Sequence, residues 1–180
     1  MLARPFCLFL MAWCGIFCAS TDPAHAIGID ERQVSLSLGE TLGGGRGTSR
    51  AGVQAGMEAA IGLSDSWAAR GGARFAWQPT QAYTGSTQVS ALSLGATYSL
   101  DIVRWVPFLD LGVSLADWRG NGISLQSLGP QAGLGVELLL SRRWTLATLA
   151  RLDYLVLRLS GPAGAHPWLG WIGLRLGRVF

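Results

Sequence analysis

The chain has 180 residues, of which 49% are apolar and only 14% charged, and its formal net charge is +3. This length leaves room for a single domain once an export signal is set aside. All of its basic residues are arginines, and no cluster of basic residues interleaved with aromatic ones indicates a nucleic-acid partner. The apolar content favours a membrane protein, yet no run after residue 26 approaches the roughly 18–20 apolar residues of a spanning helix. A closed barrel is then the remaining way to cross a bilayer.

Residues 1–26 have the pattern of a cleavable signal peptide, which leaves 27–180 as the expected barrel domain. Arg4 provides the positive start, residues 6–18 the apolar run, and Ala24 and Ala26 the small residues of a cleavage site. An uncleaved anchor helix is the alternative, but the run is short and ends at Asp22 and Pro23. All three cysteines fall within this segment, so no disulfide is expected in the domain.

From residue 33 onward, apolar and polar residues alternate with a period of two, which predicts β-strands. Eight segments are long enough to cross a bilayer as tilted strands: 34–42, 51–63, 67–77, 87–100, 105–115, 126–140, 144–159 and 168–180. Short connections at 64–66, 101–104 and 141–143 alternate with longer ones at 43–50, 78–86, 116–125 and 160–167, as in bacterial barrels. The sequence predicts an all-β fold, an eight-stranded antiparallel up-and-down transmembrane β-barrel with both termini in the periplasm.

Five tryptophans lie at the ends of the predicted strands. Trp67, Trp105 and Trp144 each follow a short turn, while Trp77 and Trp168 border longer loops. Two aromatic girdles at the membrane interfaces would place them in this way. The alternative is that they form the core of a soluble sandwich, but core positions have no reason to recur at turn boundaries.

Alternation assigns an apolar face to lipid and a polar face to the lumen, the reverse of a soluble barrel. In strand two, for example, Val53 and Met57 share one face while Gln54 and Glu58 share the other. Strand seven fits less well, because its upper leucines at 155, 157 and 159 share parity with its charged residues. Either a bulge shifts its phase or its upper part leaves the lipid. Strand five also carries a proline, Pro107, within its ladder.

The predicted lumen collects four acids and four arginines. Glu58 is expected to lie diagonally between Arg70 and Arg74, and Arg175 across from Arg151 and Asp153. One interpretation is a salt-bridged plug that fixes the register of a narrow barrel, and the other is a polar lumen for a small solute. The sequence does not separate them. The set comprises Glu58, Arg70, Arg74, Asp110, Glu137, Arg151, Asp153 and Arg175.

The predicted outer end carries more arginines than acids: Arg46, Arg50, Arg119 and Arg158 face only Glu40 and Asp117. Because guanidinium binds phosphate in a bidentate manner, these arginines are hypothesised to contact lipopolysaccharide phosphates. A solvated loop surface is an equally good interpretation.

Candidate catalytic and metal-ligating residues are few. The domain has one histidine, His166, beside Pro167, and it has no cysteine, so no local nucleophile and base or metal site is expected. The triple glycine at 43–45 lacks the lysine of a phosphate-binding loop. Neither a cofactor nor a metal is therefore expected.

Two segments resemble a known family. Residues 98–116, YSLDIVRWVPFLDLGVSLA, resemble the strand, turn, aromatic-proline and glycine pattern of small outer-membrane β-barrel proteins, and the layout over 34–180 is similar to the outer membrane protein A, X and W group. The final stretch WIGLRLGRVF resembles their C-terminal assembly signal, carried here by Ile172, Leu174, Leu176 and Phe180. Arg178 departs from that signal, and we expect its side chain to snorkel to the interface.

This resemblance implies insertion by the outer-membrane assembly machinery into a bilayer with outer-membrane lipids and lipopolysaccharide. The fold hosts anchors, adhesins, small-solute carriers and lipid A enzymes. The His-x-Ser pair of the deacylases is missing, because Pro167 and Trp168 follow His166. We expect a non-enzymatic protein with a structural or surface-interaction role. The alternatives are passive passage of small or hydrophobic solutes, and lipid A modification centred on His166.

Overall fold

The computed structural model describes residues 27–45, 48–79, 86–100, 105–120, 123–160 and 167–180, so the predicted signal segment lies outside it. No helix in this part of the chain is long and apolar enough to span a membrane. The strands are β1 Arg32–Gly45, β2 Thr48–Gly62, β3 Trp67–Pro79, β4 Ser86–Ser99, β5 Trp105–Gly120, β6 Ile123–Leu139, β7 Trp144–Tyr154, β8 Leu157–Ser160 and β9 Trp168–Val179.

The strands form one closed antiparallel sheet. Consecutive strands pair from β1 to β7, β9 returns to pair with both β7 and β1, and the β5–β6 pairing completes the ring. The short β8 continues the line of β7 and pairs with β6, so β7 and β8 together count as one strand of the wall. The predicted eight-stranded up-and-down barrel is therefore confirmed. Closure removes the free sheet edges that lipid would not tolerate.

The wall has an apolar outside and a polar inside. Outward side chains such as Leu36, Leu94 and Leu134 are 62%, 67% and 64% exposed. Inward side chains on the same strands are buried, as the alternation predicts. Leu138 is an exception, since it lies on the outward parity of β6 and is only 3% exposed.

The two ends of the barrel differ. At the turn end, β2 and β3, β4 and β5, and β6 and β7 are joined, and β1 begins beside Phe180, whose N–H donates to the carbonyl of Arg32 over 2.8 Å. At the loop end lie the connections between the remaining strands. The hairpin of β5 and β6 extends further there than predicted, with Gly120 opposite Ile123. The predicted loop 116–125 is thus strand over 116–120 and 123–125. This corrects the prediction, and the reason is that Ala116, Trp118 and Leu125 face the lumen instead of the lipid.

A bulge interrupts the seventh strand of the wall. Gln131 pairs with Asp153 and Leu128 with Leu157, so three residues of β7 and β8 face two of β6. The extra residue keeps Leu155 inside, 1% exposed, and turns Leu157 outward, 58% exposed. The sequence allows two explanations for the shared parity of the leucines and the charged residues in this strand, a bulge or an upper part that leaves the lipid. The structure contains the bulge.

Pro107 and Pro130, two of the three prolines in the described strands, lie where a missing N–H costs little. Pro107 accepts a hydrogen bond from the N–H of Leu100, 2.9 Å away, just beyond the end of β4. Pro130 lies on β6 beside the bulge, between the residues that pair with Asp153 and Leu157. Since proline cannot donate to a ladder, strand ends and bulges are where it is tolerated.

Candidate functional site

The eight predicted lumenal charges all lie inside the barrel, and we call them the ion cluster. Each is at most 7% exposed, so their charges are removed from bulk water. They come from β2, β3, β5, β6, β7 and β9, which places them around most of the wall. Ions buried to this degree are tolerated only where opposite charges and hydrogen bonds surround them.

Glu58 is the centre of the ion cluster. Its Oε2 lies 3.1 Å from Nη1 of Arg70 and 3.4 Å from Nη1 of Arg175, and its Oε1 pairs with Nη1 of Arg151. One carboxylate on β2 thus links three arginines on β3, β7 and β9. The network therefore joins strands across the lumen as well as the neighbouring strands β2 and β3.

Asp110 extends the network towards β4 and β5. Its Oδ2 lies 3.0 Å from Nη2 of Arg151, and its Oδ1 accepts a hydrogen bond of 2.6 Å from Oγ1 of Thr97. Thr97 in turn accepts from Nε of Arg70 over 2.9 Å. Thr97 was not among the predicted residues. Its inward parity opposite Asp110 is the signal that could have identified it.

Arg74 differs from the expectation that it shares Glu58 with Arg70. Its Nη2 lies 2.9 Å from Oδ2 of Asp153 and donates to Oε1 of Gln131 over 3.1 Å. Arg74 does lie opposite Gly56, one inward position beyond Glu58, so the predicted diagonal register is present. The long side chain of Arg74 nevertheless reaches across the lumen to β7, because the Glu58 carboxylate is already paired with the other three arginines.

Arg175 also has partners other than those expected. The register puts it opposite Ala147, whereas Trp171 lies opposite Arg151. The guanidinium of Arg175 contacts Glu58 and lies 3.8 Å from Oε1 of Glu137. Trp171, four residues before Arg175 on β9, lies across from Arg151. Arg175 therefore does not have the predicted position across from Arg151 and Asp153.

Aromatic rings and close packing occupy the space around these charges. The guanidinium carbon of Arg175 lies 4.7 Å from the ring centre of Phe108, and that of Arg151 lies 5.7 Å from the Trp171 ring, both within cation–π range. The void beside Arg70, Asp110 and Arg151 measures only about 10 Å³, which is room for about one water molecule. Packing of this kind is typical of a filled interior.

An apolar layer, which the alternation of polar and apolar residues does not predict, lies inside the barrel towards the loop end. Trp118 reaches from β5 to the opposite wall, where a Cβ added at Gly43 would lie 2.9 Å from its Cη2 atom and 2.5 Å from Nε2 of Gln78. The lumen is therefore crossed by an indole ring at this level. The apolar layer consists of Ala76, Val89, Ala91, Ala116, Trp118, Leu125, Leu155 and Leu169, all at most 9% exposed.

On β4, β5 and β6 the outward side chains change from apolar to polar at about the level of the apolar layer. Leu92, Leu115 and Leu128 form an outward row across β4, β5 and β6. The next outward row, one step towards the loop end, is Ser90, Asp117 and Gln126. On these three strands the outward residues from here to the loop end are polar, whereas Val89, Trp118 and Leu125 face inward. This reversal explains why the 116–125 segment was not predicted as part of the barrel.

The predicted girdle tryptophans lie on the outer surface. Trp67, Trp105 and Trp144 are exposed at the turn end, and Trp77 and the half-buried Trp168 lie towards the loop end. The four residues of the predicted assembly signal, Ile172, Leu174, Leu176 and Phe180, are exposed on one face of the last strand and its end.

Arg178 lies among aromatic rings at the turn end. Its guanidinium carbon is 5.7 Å from the Trp144 ring centre and 5.0 Å from that of Phe180. These contacts are compatible with the expected snorkelling to the interface.

Of the four predicted lipopolysaccharide contacts, the structure describes the side chains of Arg119 and Arg158. Arg119 is outward and exposed and forms an ion pair with Asp117, with 2.7 Å between Nη2 and Oδ2. Arg158 is exposed but lies opposite Ser127, whose side chain faces the interior. Arg46 and the side chain of Arg50 lie outside the described part.

No metal site emerges in the described ranges. No group of three or more histidine, cysteine, aspartate or glutamate residues is arranged there to hold a metal ion. His166, the centre of the lipid A alternative, lies outside the described residues.

Comparison with known proteins identifies the fold. No family model matches the sequence, and a search of curated proteins gives no match. Among solved structures, Neisserial surface protein A has a TM-score of 0.67 at 15% identity, covering 82% of this chain and 96% of that one. Ail, the attachment invasion locus protein of Yersinia pestis, has a TM-score of 0.55 at 12% identity, covering 84% and 99%. The outer membrane enzyme PagL has a TM-score of 0.51 at 12% identity, covering 81% and 97%. The chain therefore has the fold of the small outer-membrane β-barrels.

Proposed function

We propose that this protein is an integral barrel of the bacterial outer membrane, with both termini in the periplasm, and that it has a non-enzymatic structural or surface-interaction role. The observation that carries the proposal is the combination of a lipid-compatible exterior with an interior closed at two levels. The fold alone does not assign a role, because the same architecture serves both the enzyme PagL and the attachment protein Ail.

The exterior supports the membrane location. Its large exposed side chains are leucine, valine, isoleucine, methionine and aromatic residues on every strand, a surface that water would drive to aggregate. Exposed tryptophans lie at both ends of this apolar surface, as expected for residues at lipid–water interfaces. Short turns at the end that carries both chain ends support the periplasmic placement of that end.

The interior supports a closed lumen over a solute pathway. The ion cluster ties opposite walls together through Glu58 and through the Arg74–Asp153 pair. The apolar layer then separates these charges from the loop end, with Trp118 lying across the lumen. An ion crossing this level would have to pass the indole ring of Trp118, which lies across the lumen and restricts the space for a hydration shell. A structural or surface role needs no such crossing.

Two partners follow from the proposed location. The outer-membrane assembly machinery would recognise the exposed apolar row of Ile172, Leu174, Leu176 and Phe180. Lipopolysaccharide phosphates would contact Arg119, whose side chain is 72% exposed and has donors beyond those used by Asp117. Arg46, Arg50 and Arg158 remain part of that hypothesis.

Single-channel recording tests the proposal. The domain 27–180 is refolded into phospholipid vesicles, insertion is checked by the faster gel mobility of the unheated barrel, and the vesicles are fused with a planar bilayer. We expect insertion without resolvable current steps. Trp118→Ala should also stay closed, because the ion cluster still fills the lumen beneath it. Steady ion-selective steps that change sign of selectivity in Glu58→Ala would instead establish solute passage.

A further inference from the structure

The outer wall carries an apolar groove at the level where its polarity reverses. The groove has a volume of about 620 Å³ and crosses the outward faces of β2, β3, β4 and β5. Small side chains at Ala55, Ala73 and Ser90 form its floor, and larger ones such as Met57 and Phe75 form its sides. An outward apolar depression with a floor of small side chains suits a hydrocarbon chain.

One margin of the groove is polar. Ser90, Asp117 and Gln126 line it there and belong to the first polar row above the apolar wall. The Oδ2 atom of Asp117 pairs with Arg119, whereas its Oδ1 atom is buried and has no hydrogen-bond partner. Because a carboxylate oxygen is a hydrogen-bond acceptor, Oδ1 can accept from a hydroxyl or amide group of a molecule bound in the groove.

We propose that this groove binds one lipopolysaccharide molecule, with an acyl chain between Met57 and Phe75 and its phosphorylated sugar head at Asp117, Arg119 and Gln126. The inference rests on the proposed outer-membrane location. The polar margin offers a carboxylate, an amide and a hydroxyl, and the exposed guanidinium of Arg119 lies beside it, paired with Asp117. Sugar hydroxyl and amide groups can donate to the carboxylate and exchange hydrogen bonds with the amide, while a phosphate pairs with the guanidinium. The sugar head of lipopolysaccharide offers several hydroxyl and amide donors beside its phosphate, whereas phosphatidylethanolamine offers one ammonium and one phosphate.

Native mass spectrometry on the refolded barrel tests the site, with purified rough lipopolysaccharide as the probe. Ala55→Trp fills the groove, and Ala132→Trp is the matched control, because Ala132 is also an exposed outward alanine but lies on β6 outside the groove. We expect one lipopolysaccharide per barrel for the wild type and the control. Binding to Ala55→Trp should be at least about tenfold weaker, because the tryptophan side chain fills the space of the acyl chain. Arg119→Gln should weaken binding to a similar degree.

The alternative outcomes separate the two proposals. Equal binding by Ala55→Trp and Ala132→Trp would overturn the groove, and equal retention of phosphatidylethanolamine would overturn the sugar-specific head. Insertion is measured separately by gel mobility in phospholipid vesicles without lipopolysaccharide. A chain that inserts but binds no lipopolysaccharide contradicts only the groove, whereas a chain that never inserts contradicts the proposed function and the groove together.

Discussion

Arg74 and Asp153 form an ion pair across the lumen, with 2.9 Å between Nη2 and Oδ2, although β3 and β7 lie on opposite walls. Both side chains are almost completely buried. Gln131 and Ser114 accept further hydrogen bonds from the same Nη2 atom, at 3.1 and 3.2 Å. The pair therefore connects walls that share no ladder hydrogen bonds.

Removing one partner of this pair should destabilise the barrel strongly. Asp153→Ala leaves Arg74 buried without its carboxylate, and we expect a loss of about 3–5 kcal/mol in the free energy of unfolding. The double variant Arg74→Met, Asp153→Leu should recover most of that loss, because no unpaired ion remains. Reversible urea unfolding of the barrel in vesicles measures both. Small losses that simply add would indicate hydrated, independent charges instead.

Glu58 should matter more than Glu137, although both are buried lumenal glutamates. Glu58 contacts three arginines, whereas the ion pair of Glu137 with Arg175 is 3.8 Å long. Glu58→Ala should therefore cost about 3–5 kcal/mol of unfolding free energy, and Glu137→Ala clearly less. The same urea titration compares the two variants. An equal or larger cost for Glu137→Ala would contradict the central position of Glu58.

The strands and their faces could be predicted because a barrel wall imposes a period of two on the sequence. The partners of the lumenal arginines could not, because they depend on which walls face each other after closure. Arg74 illustrates this: its diagonal register to Glu58 was predictable, yet its side chain bonds to Asp153 on the opposite wall. Local register does not determine contacts made through the lumen.

The β5–β6 extension was missed for a different reason. Ala116, Trp118 and Leu125 alternate with Asp117 and Arg119, which is itself a strand pattern. The alternation alone does not determine which set faces lipid, and the structure turns the apolar set inward. The Asn-Gly pair at 121–122 is a strong hairpin signal and could have identified the extension from sequence.

Two glycines of the wall should respond oppositely to alanine. A Cβ on inward Gly135 would meet the carbonyl oxygen of Thr148 on the neighbouring strand and would lie 2.5 Å from Cζ of Phe108 and 2.9 Å from Cβ of Leu149, so both the wall and the filled lumen would have to shift. We expect Gly135→Ala to lower the unfolding free energy by about 1–3 kcal/mol. At outward Gly71 the nearest atoms are 3.7 Å away, and Gly71→Ala should be neutral or stabilise by about 0.4–1 kcal/mol. A harmless Gly135→Ala would show that the lumen is loosely packed.

The polarity reversal on β6 predicts where the lipid ends on this wall. Leu134 and Gln126 lie on the same outward face of the same strand, but Leu134 is in the middle of the apolar stretch and Gln126 is in the first polar row. Arginine at a lipid-facing midplane costs about 2–4 kcal/mol, and near an interface about 0–1 kcal/mol. Leu134→Arg should therefore lower the stability of the inserted barrel by the larger amount.

Gln126→Arg should have almost no effect on that stability, and it would gain a partner, because Asp117 lies opposite position 126. Folding yield in vesicles and reversible urea unfolding, measured side by side for both variants, give the comparison. Similar losses at the two positions would mean that lipid extends past the polar row. The apolar interior at Trp118 would then lie within the membrane, and the reversal would no longer mark its boundary.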